Sequence, residues 1–282
     1  MQEDMSLARP WYNVPVRLIS SYAEQSCVLR GHTVTELIEG MPHINSQKLI
    51  GLELAGFDHD LADFVPIPDG VPVEIVAGLQ DEPAKLYDLA QLTASRPVRV
   101  RLNCIPGFVS GLSIAASLDM AVALEIPLSG TAGAEELVAG LELALYRRSL
   151  TQPIDFYHGL LHTCYHQTPV DLFDIQEENP ATSRYITDTG LETVSSRLAW
   201  ILTERQVKPQ DLFAYRDEQI EKYAPACFEC EHGPVCRGYF KWHDPTADCS
   251  AFHSLFDVIL DAAEQLAEDV RHAQDDVDSA SH

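Results

Sequence analysis

Two hydrophobic rhythms alternate along the first half of the chain. Short β-rich apolar runs, VPVRLIS (14–20), KLIGLELAG (48–56), VPVEIVAGL (71–79), PVRVRLN (97–103) and MAVALEIPL (120–128), each predict a strand. Among and after them, TVTELIEGM, EPAKLYDLAQLTA and GAEELVAGLELALYRR predict helices; the last two repeat apolar residues at three- and four-residue intervals. Alternating strands and helices imply parallel strands joined by helical crossovers, so residues 12–155 are expected to form an open α/β sheet or partial barrel.

Beyond residue 153 the alternation stops. DFYHGLLHTCYHQ predicts a helix, and SRYITDTGLETVSS predicts a hairpin turning at Asp188–Thr189–Gly190. SRLAWILTERQ (196–206) and PQDLFAYRDEQIEKY (209–223) predict further helices. After a cysteine-rich segment, FHSLFDVILDAAEQLAEDVRHA predicts a last helix, and the polar, acidic residues 273–282 are expected to be disordered. No internal repeat is visible. The expected division is 12–155 for the barrel, 156–205 for connecting helices and a hairpin, 206–272 for a cysteine-bearing domain and 273–282 for a tail.

The candidate chemistry sits in CFECEHGPVCRGYFKWHDPTADC. Four of the chain's seven cysteines fall here: Cys227 and Cys230 two residues apart, Cys236 after five more, Cys249 after another twelve. Four thiolates can hold a tetrahedral zinc ion or a [4Fe–4S] cubane, because soft sulfur suits both. Gly233, Pro234 and Gly238 permit the bends that wrapping a metal requires. Zinc ribbons use two pairs with two-residue gaps, and here the second such pair is missing, which disfavours zinc. The bland reading is four buried, unliganded thiols.

The spacing C-x2-C-x5-C, followed by Gly–Tyr–Phe and a later Cys before a C-terminal helix, resembles the SPASM domain, the auxiliary-cluster extension of radical S-adenosylmethionine (SAM) peptide and protein maturases. In that family a further cysteine belongs to a first auxiliary cluster; the matching position here is Phe240, and no cysteine lies between 164 and 227. The resemblance therefore implies one retained [4Fe–4S] cluster on Cys227, Cys230, Cys236 and Cys249, with zinc as the alternative metal. The preceding segment FYHGLLHTCYHQTPVDLFDIQEENPATSRYITDTG resembles the join between a radical SAM barrel and a SPASM domain. The implied fold is a partial (β/α)6 TIM-like barrel followed by a small C-terminal SPASM-like iron–sulfur domain.

The barrel half departs from the family. The loop expected to carry C-x3-C-x2-C reads SSYAEQSCVLRGHT and holds Cys27 alone; LELAGFDHD stands where a Gly-Gly-Glu-Pro motif would contact SAM. The resemblance thus implies a pseudo-enzyme that does not bind SAM. It implies a non-catalytic subunit that forms a heterodimer with an active radical SAM maturase in ribosomal peptide modification, presenting a precursor peptide or relaying an electron. The alternatives are a metal-stapled scaffold, or an enzyme using its single cluster directly.

Charge adjusts the choice of partner. The 282 residues carry 19 Lys and Arg against 43 Asp and Glu, a formal net charge of −24, which argues against nucleic acid and favours a basic protein or peptide, although acidity also simply aids solubility. No apolar run reaches the roughly 18 residues of a membrane span, and no signal peptide opens the chain, so a cytoplasmic protein without membrane attachment is expected. In that reducing setting clustered cysteines hold metal rather than disulfides.

Three other groups have functional readings. His158, His162 and His166 recur every four residues and can line one helix face as metal donors or as a partly exposed histidine face. Asp174, Glu177 and Glu178 can act as acid–base groups, but read more simply as solvated carboxylates. Cys27, Cys104 and Cys164 read as small buried hydrophobes, and GTAGAEE (130–136) reads as a helix N-terminus rather than a phosphate loop.

Overall fold

A computed structural model describes residues 10–128, 134–147, 150–168 and 170–280. Its centre is a sheet of strands β1 (Trp11–Pro15), β2 (Cys27–Gly31), β3 (Leu49–Ala55), β4 (Val73–Val76), β5 (Val98–Asn103), β6 (Ala121–Glu125), β7 (Ser183–Ile186) and β8 (Glu192–Thr193). The strands run in the order β6-β5-β4-β3-β2-β1-β7-β8. Neighbours from β6 through β7 are parallel, and β8 closes an antiparallel hairpin with β7. The result is an open, curled half-barrel of mixed α/β class, in line with the strand–helix alternation.

Strands β2 and β5 obey the two-residue period throughout. In β5 the apolar Val98, Val100 and Leu102 are buried, while Arg99, Arg101 and Asn103 between them point to the opposite, polar face. The buried set packs beneath helices α1 (Val34–Gly40), α2 (Leu86–Leu89), α3 (Phe108–Ser117) and α4 (Ala134–Tyr146), of which α3 rests on β5 and β6. Thr33 caps α1 by accepting from the Glu36 amide at 3.2 Å, and Glu36 reaches back to the His32 amide at 2.7 Å.

Two strands differ from expectation. The first lies at 11–15 rather than 14–20, because Pro15 has no N–H for the ladder and the chain turns there into a 3-10 helix over Val16–Ser21. The segment containing Cys27 is not a loop: it is β2, a central strand with Cys27, Leu29 and Gly31 buried. The Asp188–Gly190 turn and the helix α5 (Asp155–His166) form as predicted. Residues 130–133 lie outside the described residues, and Ala134 is the first described residue of α4.

The remaining elements are α6 (Leu172–Ile175), α7 (Ala199–Glu204), α8 (Leu212–Tyr223), α9 (Gly233–Cys236) and α10 (Ser250–Ala280). Helix α10 packs along α5 and α4. It also corrects the expectation of a disordered tail over 273–282: no glycine or proline interrupts 250–280, and helix continues to Ala280. Buried residues from Val14 in β1 to Ile259 in α10 form one contiguous cluster, so the cysteine segment packs onto the sheet's own core. Among the described residues no helix is long and apolar enough to cross a membrane.

Candidate metal centre

Cys227 sits in a 3-10 turn (Pro225–Phe228), Cys230 follows it, Cys236 ends α9, and Cys249 immediately precedes α10. Three features of the local sequence shape this path. Pro234 starts α9, where its missing N–H costs nothing. Arg237 and Gly238 then both take positive φ, turning the chain sharply after Cys236. Gly238 is required twice over, since a Cβ there would also meet Ile220 Cδ1 at 2.6 Å.

The folded segment brings all four cysteines to the wall of one small pocket of about 20 Å³, partly open to solvent, with Phe240, Phe252 and Phe256 as its apolar side. Phe240 and Phe252 stack with centroids 3.9 Å apart. All four thiols are free and partly buried. Burial pushes Cys236 up to about 12, although the amides of Tyr239, Phe240 and Gly238 lie close enough to its sulfur to favour the thiolate. Burial raises Cys227 as well, then the neighbouring thiols of Cys249 and Cys230, against the charge of Lys241. Thiols raised in this way stay protonated, and a cation placed between them would let them ionise.

His253, missed in the sequence, belongs to the same place. Its Nε2 lies 3.6 Å from the Cys249 sulfur and 3.9 Å from that of Cys230. The signal was available: His253, in the first turn of α10, follows Cys249 by four residues, one helical turn. His232, between Cys230 and Cys236, is 4% exposed, and its ring lies 4.9 Å from that of His253.

The segment is tied to the half-barrel by a buried polar knot. Glu178, 0% exposed, accepts from Arg197 Nε at 2.7 Å, Ser195 Oγ at 2.6 Å and Tyr239 Oη at 2.7 Å. Arg197 also donates to the Ile126 carbonyl and the Tyr239 hydroxyl. Beside this knot Phe173, Tyr239 and Trp242 pack edge-on or tilted, and His243 Nε2 bonds the Leu128 carbonyl at 2.9 Å. Glu178 is therefore not a solvated carboxylate.

Nor is Glu177. On the polar face of the sheet Arg99 and Arg101 each pair with both Glu74 and Glu177 at 2.6–2.7 Å, and Arg99 reaches Asp155 at 3.1 Å. Burial opposes the charge of Glu177, but Arg101 and Arg99 outweigh it and hold the carboxyl down at about 2. Asp174 completes the capping box of α6 with Asp171. These groups fill the middle of the half-barrel with ion pairs. The histidines of α5 do not converge: the His158 ring bonds the Ile154 backbone at 2.9–3.0 Å, while His162 and His166 face solvent with rings 4.5 Å apart. Cys27 and Cys104 are buried as expected, and Cys164 is half-buried.

Glu53 in β3 gives a pH-dependent test of the polar face. Burial first, then the charge of Glu74, raises it from 4.5 to about 7, despite Arg101, Arg30 and a 2.5 Å bond from Asn13. A carboxyl raised on folding favours the folded state below its unfolded pKa, and that contribution is lost as pH rises through the folded value. Stability should fall between pH 4.5 and about 7, by up to about 3 kcal/mol. Glu53→Gln keeps an acceptor for Asn13 and should remove the loss. Urea unfolding should find the variant gaining about 1–3 kcal/mol relative to wild type on moving from pH 5 to pH 8. An equal difference at both pH values would refute this account.

Compared with known proteins, the chain matches no family model, no curated protein and no solved structure.

Proposed function

We propose that this chain is a cluster-bearing accessory subunit, non-catalytic by itself, that works with an active radical SAM peptide maturase. The carrying observation is the convergence of Cys227, Cys230, Cys236 and Cys249 on one partly buried cavity. The donor set fits a [4Fe–4S] group: four thiols, apolar walls, and amides aimed at the Cys236 sulfur. Such a cluster supplies one-electron chemistry when bound. A single zinc ion needs sulfurs about 3.8 Å apart. Among the described residues, the donors gathered within 4.8 Å of one another are those of Glu231, His232 and Asp257, not the thiols.

What this chain's residues do is hold and screen. The cysteines bind, the Phe240–Phe252 stack limits water on one side, and His253 Nε2 stands where it can hydrogen-bond thiolate sulfur. The Glu74–Arg99–Arg101–Glu177 network occupies the interior of the half-barrel with groups already paired to one another, which suits a docking body better than a SAM site. Cys27, buried in β2 with its thiol on the Tyr22 carbonyl, suits a core role better than a cluster loop. The net charge of −24 suits a basic partner face or precursor peptide. The second reading is a metal-stapled scaffold, favoured by the knot that ties Tyr239 to Glu178.

Anaerobic reconstitution should yield about four irons and four sulfides per chain, with visible absorption that bleaches on reduction. Stoichiometric zinc without sulfide would remove the cluster. Assaying a copurifying maturase with and without this subunit tests the role: unchanged rate, site selectivity and peptide affinity would leave only the scaffold reading.

A further inference from the structure

His232 has an unexplained atom. The residue is 4% exposed, and its Nε2 is buried without a hydrogen-bond partner. The ring is held against Phe256 at 5.3 Å and His253 at 4.9 Å, which fixes where Nε2 points. Two carboxylates meet it there: Asp257 Oδ1 at 3.4 Å, from the second turn of α10, and Glu231 Oε1 at 3.8 Å, from the adjoining residue.

These separations are too long for hydrogen bonds, which hold N and O at about 2.7–3.2 Å. They match donors that share an ion. With zinc–nitrogen and zinc–oxygen bonds of about 2.0–2.2 Å, tetrahedral ligands sit about 3.4 Å from one another. All three ligand atoms lie within 4.8 Å of one another. Both carboxylates remain largely exposed, so they reach an ion without a large desolvation cost, while the imidazole supplies the fixed point.

We infer that Glu231, His232 and Asp257 form a second metal site, distinct from the cysteine centre, for a divalent cation of the zinc class. One nitrogen and two oxygens suit zinc or a neighbouring first-row ion, and three protein donors leave a position for water or an incoming ligand. Glu231 and His232 also line the cleft between α5 and the cysteine segment, from which a ligand can approach the open position. The site does not depend on which metal the cysteines hold, because it shares no ligand with them.

The test uses the full chain with its cysteine centre loaded. After zinc chloride and desalting, metal analysis should find one zinc per chain beyond the metal of the cysteine centre. Glu231→Gln and Asp257→Asn are exposed replacements that spare the buried ring; each should weaken that zinc by about 100-fold or more, beyond what losing a supporting contact costs. Both variants should keep the full metal content of the cysteine centre. Cobalt in place of zinc should give weak visible bands without thiolate-to-metal charge transfer. The inference fails if no additional zinc is retained, if the double variant retains it undiminished, or if the double variant empties the cysteine centre as well.

Discussion

Replacing Cys236 by serine should strip the metal from the protein, reducing bound iron from about four per chain to one or fewer. Among the four cysteines proposed as ligands, Cys236 has the most committed surroundings: burial raises its thiol to about 12, and three backbone amides are turned toward the sulfur. A serine hydroxyl cannot ionise there, and it is a hard donor where iron–sulfur chemistry wants a soft one. Without the group, the path from Pro225 to Cys249 has little regular structure of its own, only a 3-10 turn and the single turn of α9. If the proposed cluster is bound there, its binding should be coupled to local folding. Limited proteolysis should cut the variant within 225–249 while the parallel sheet survives, and wild-type protein stripped by a chelator should be cut at the same places. Cys27→Ala is the control, since that thiol lies in β2 and bonds the Tyr22 carbonyl. It should cost stability but keep the metal. Full metal in Cys236→Ser, or loss in Cys27→Ala, would overturn the ligand assignment.

Different parts of this molecule were legible for different physical reasons. The sheet was readable wherever a strand carries a run of apolar residues between turn signals, as in VPVEIVAGL and PVRVRLN. It was unreadable at β2, whose five residues begin with Cys27 and end with Gly31, after the polar run SSYAEQS. Helix α3 escaped because FVSGLSIAAS is small and apolar nearly all round, leaving no period to detect. The meeting of the four cysteines at one pocket was legible because their spacing is local. His253 and the Glu231–His232–Asp257 group depend on how α10 docks, which no spacing within the segment encodes. Glu177 and Glu178 looked like a solvated face because their partners Arg99, Arg101 and Arg197 are distant in sequence. The alternation of arginine and valine in β5 announced a charged face, but not its partners.

Arg197→Met should destabilise the protein by about 3–5 kcal/mol, the cost of leaving a buried carboxylate without its cation. Glu178 has no exposed surface, and three of its four close donors, Arg197 Nε, Ser195 Oγ and Tyr239 Oη, lie at 2.6–2.7 Å. Removing the guanidinium leaves two neutral hydroxyls on a full charge and frees the Ile126 carbonyl and the Gln176 amide oxygen that Arg197 also bonds. Glu178→Gln is milder in charge but brings an amide donor to a site already crowded with donors, and should cost about 1–3 kcal/mol. The pair replaced together by Met and Leu should lose less than the sum of the single losses, with a coupling of about 1–3 kcal/mol. Urea unfolding at pH 7 measures all of these. The knot also bears on the metal, because Tyr239 is one of the residues whose amide faces the Cys236 sulfur, and its hydroxyl is anchored on Glu178. Arg197→Met should therefore bind its metal more weakly than wild type while every cysteine is intact, as chelator competition would show. Additive single losses, or a loss below about 1 kcal/mol, would mean that water replaces the guanidinium and that the knot does not join the centre to the sheet.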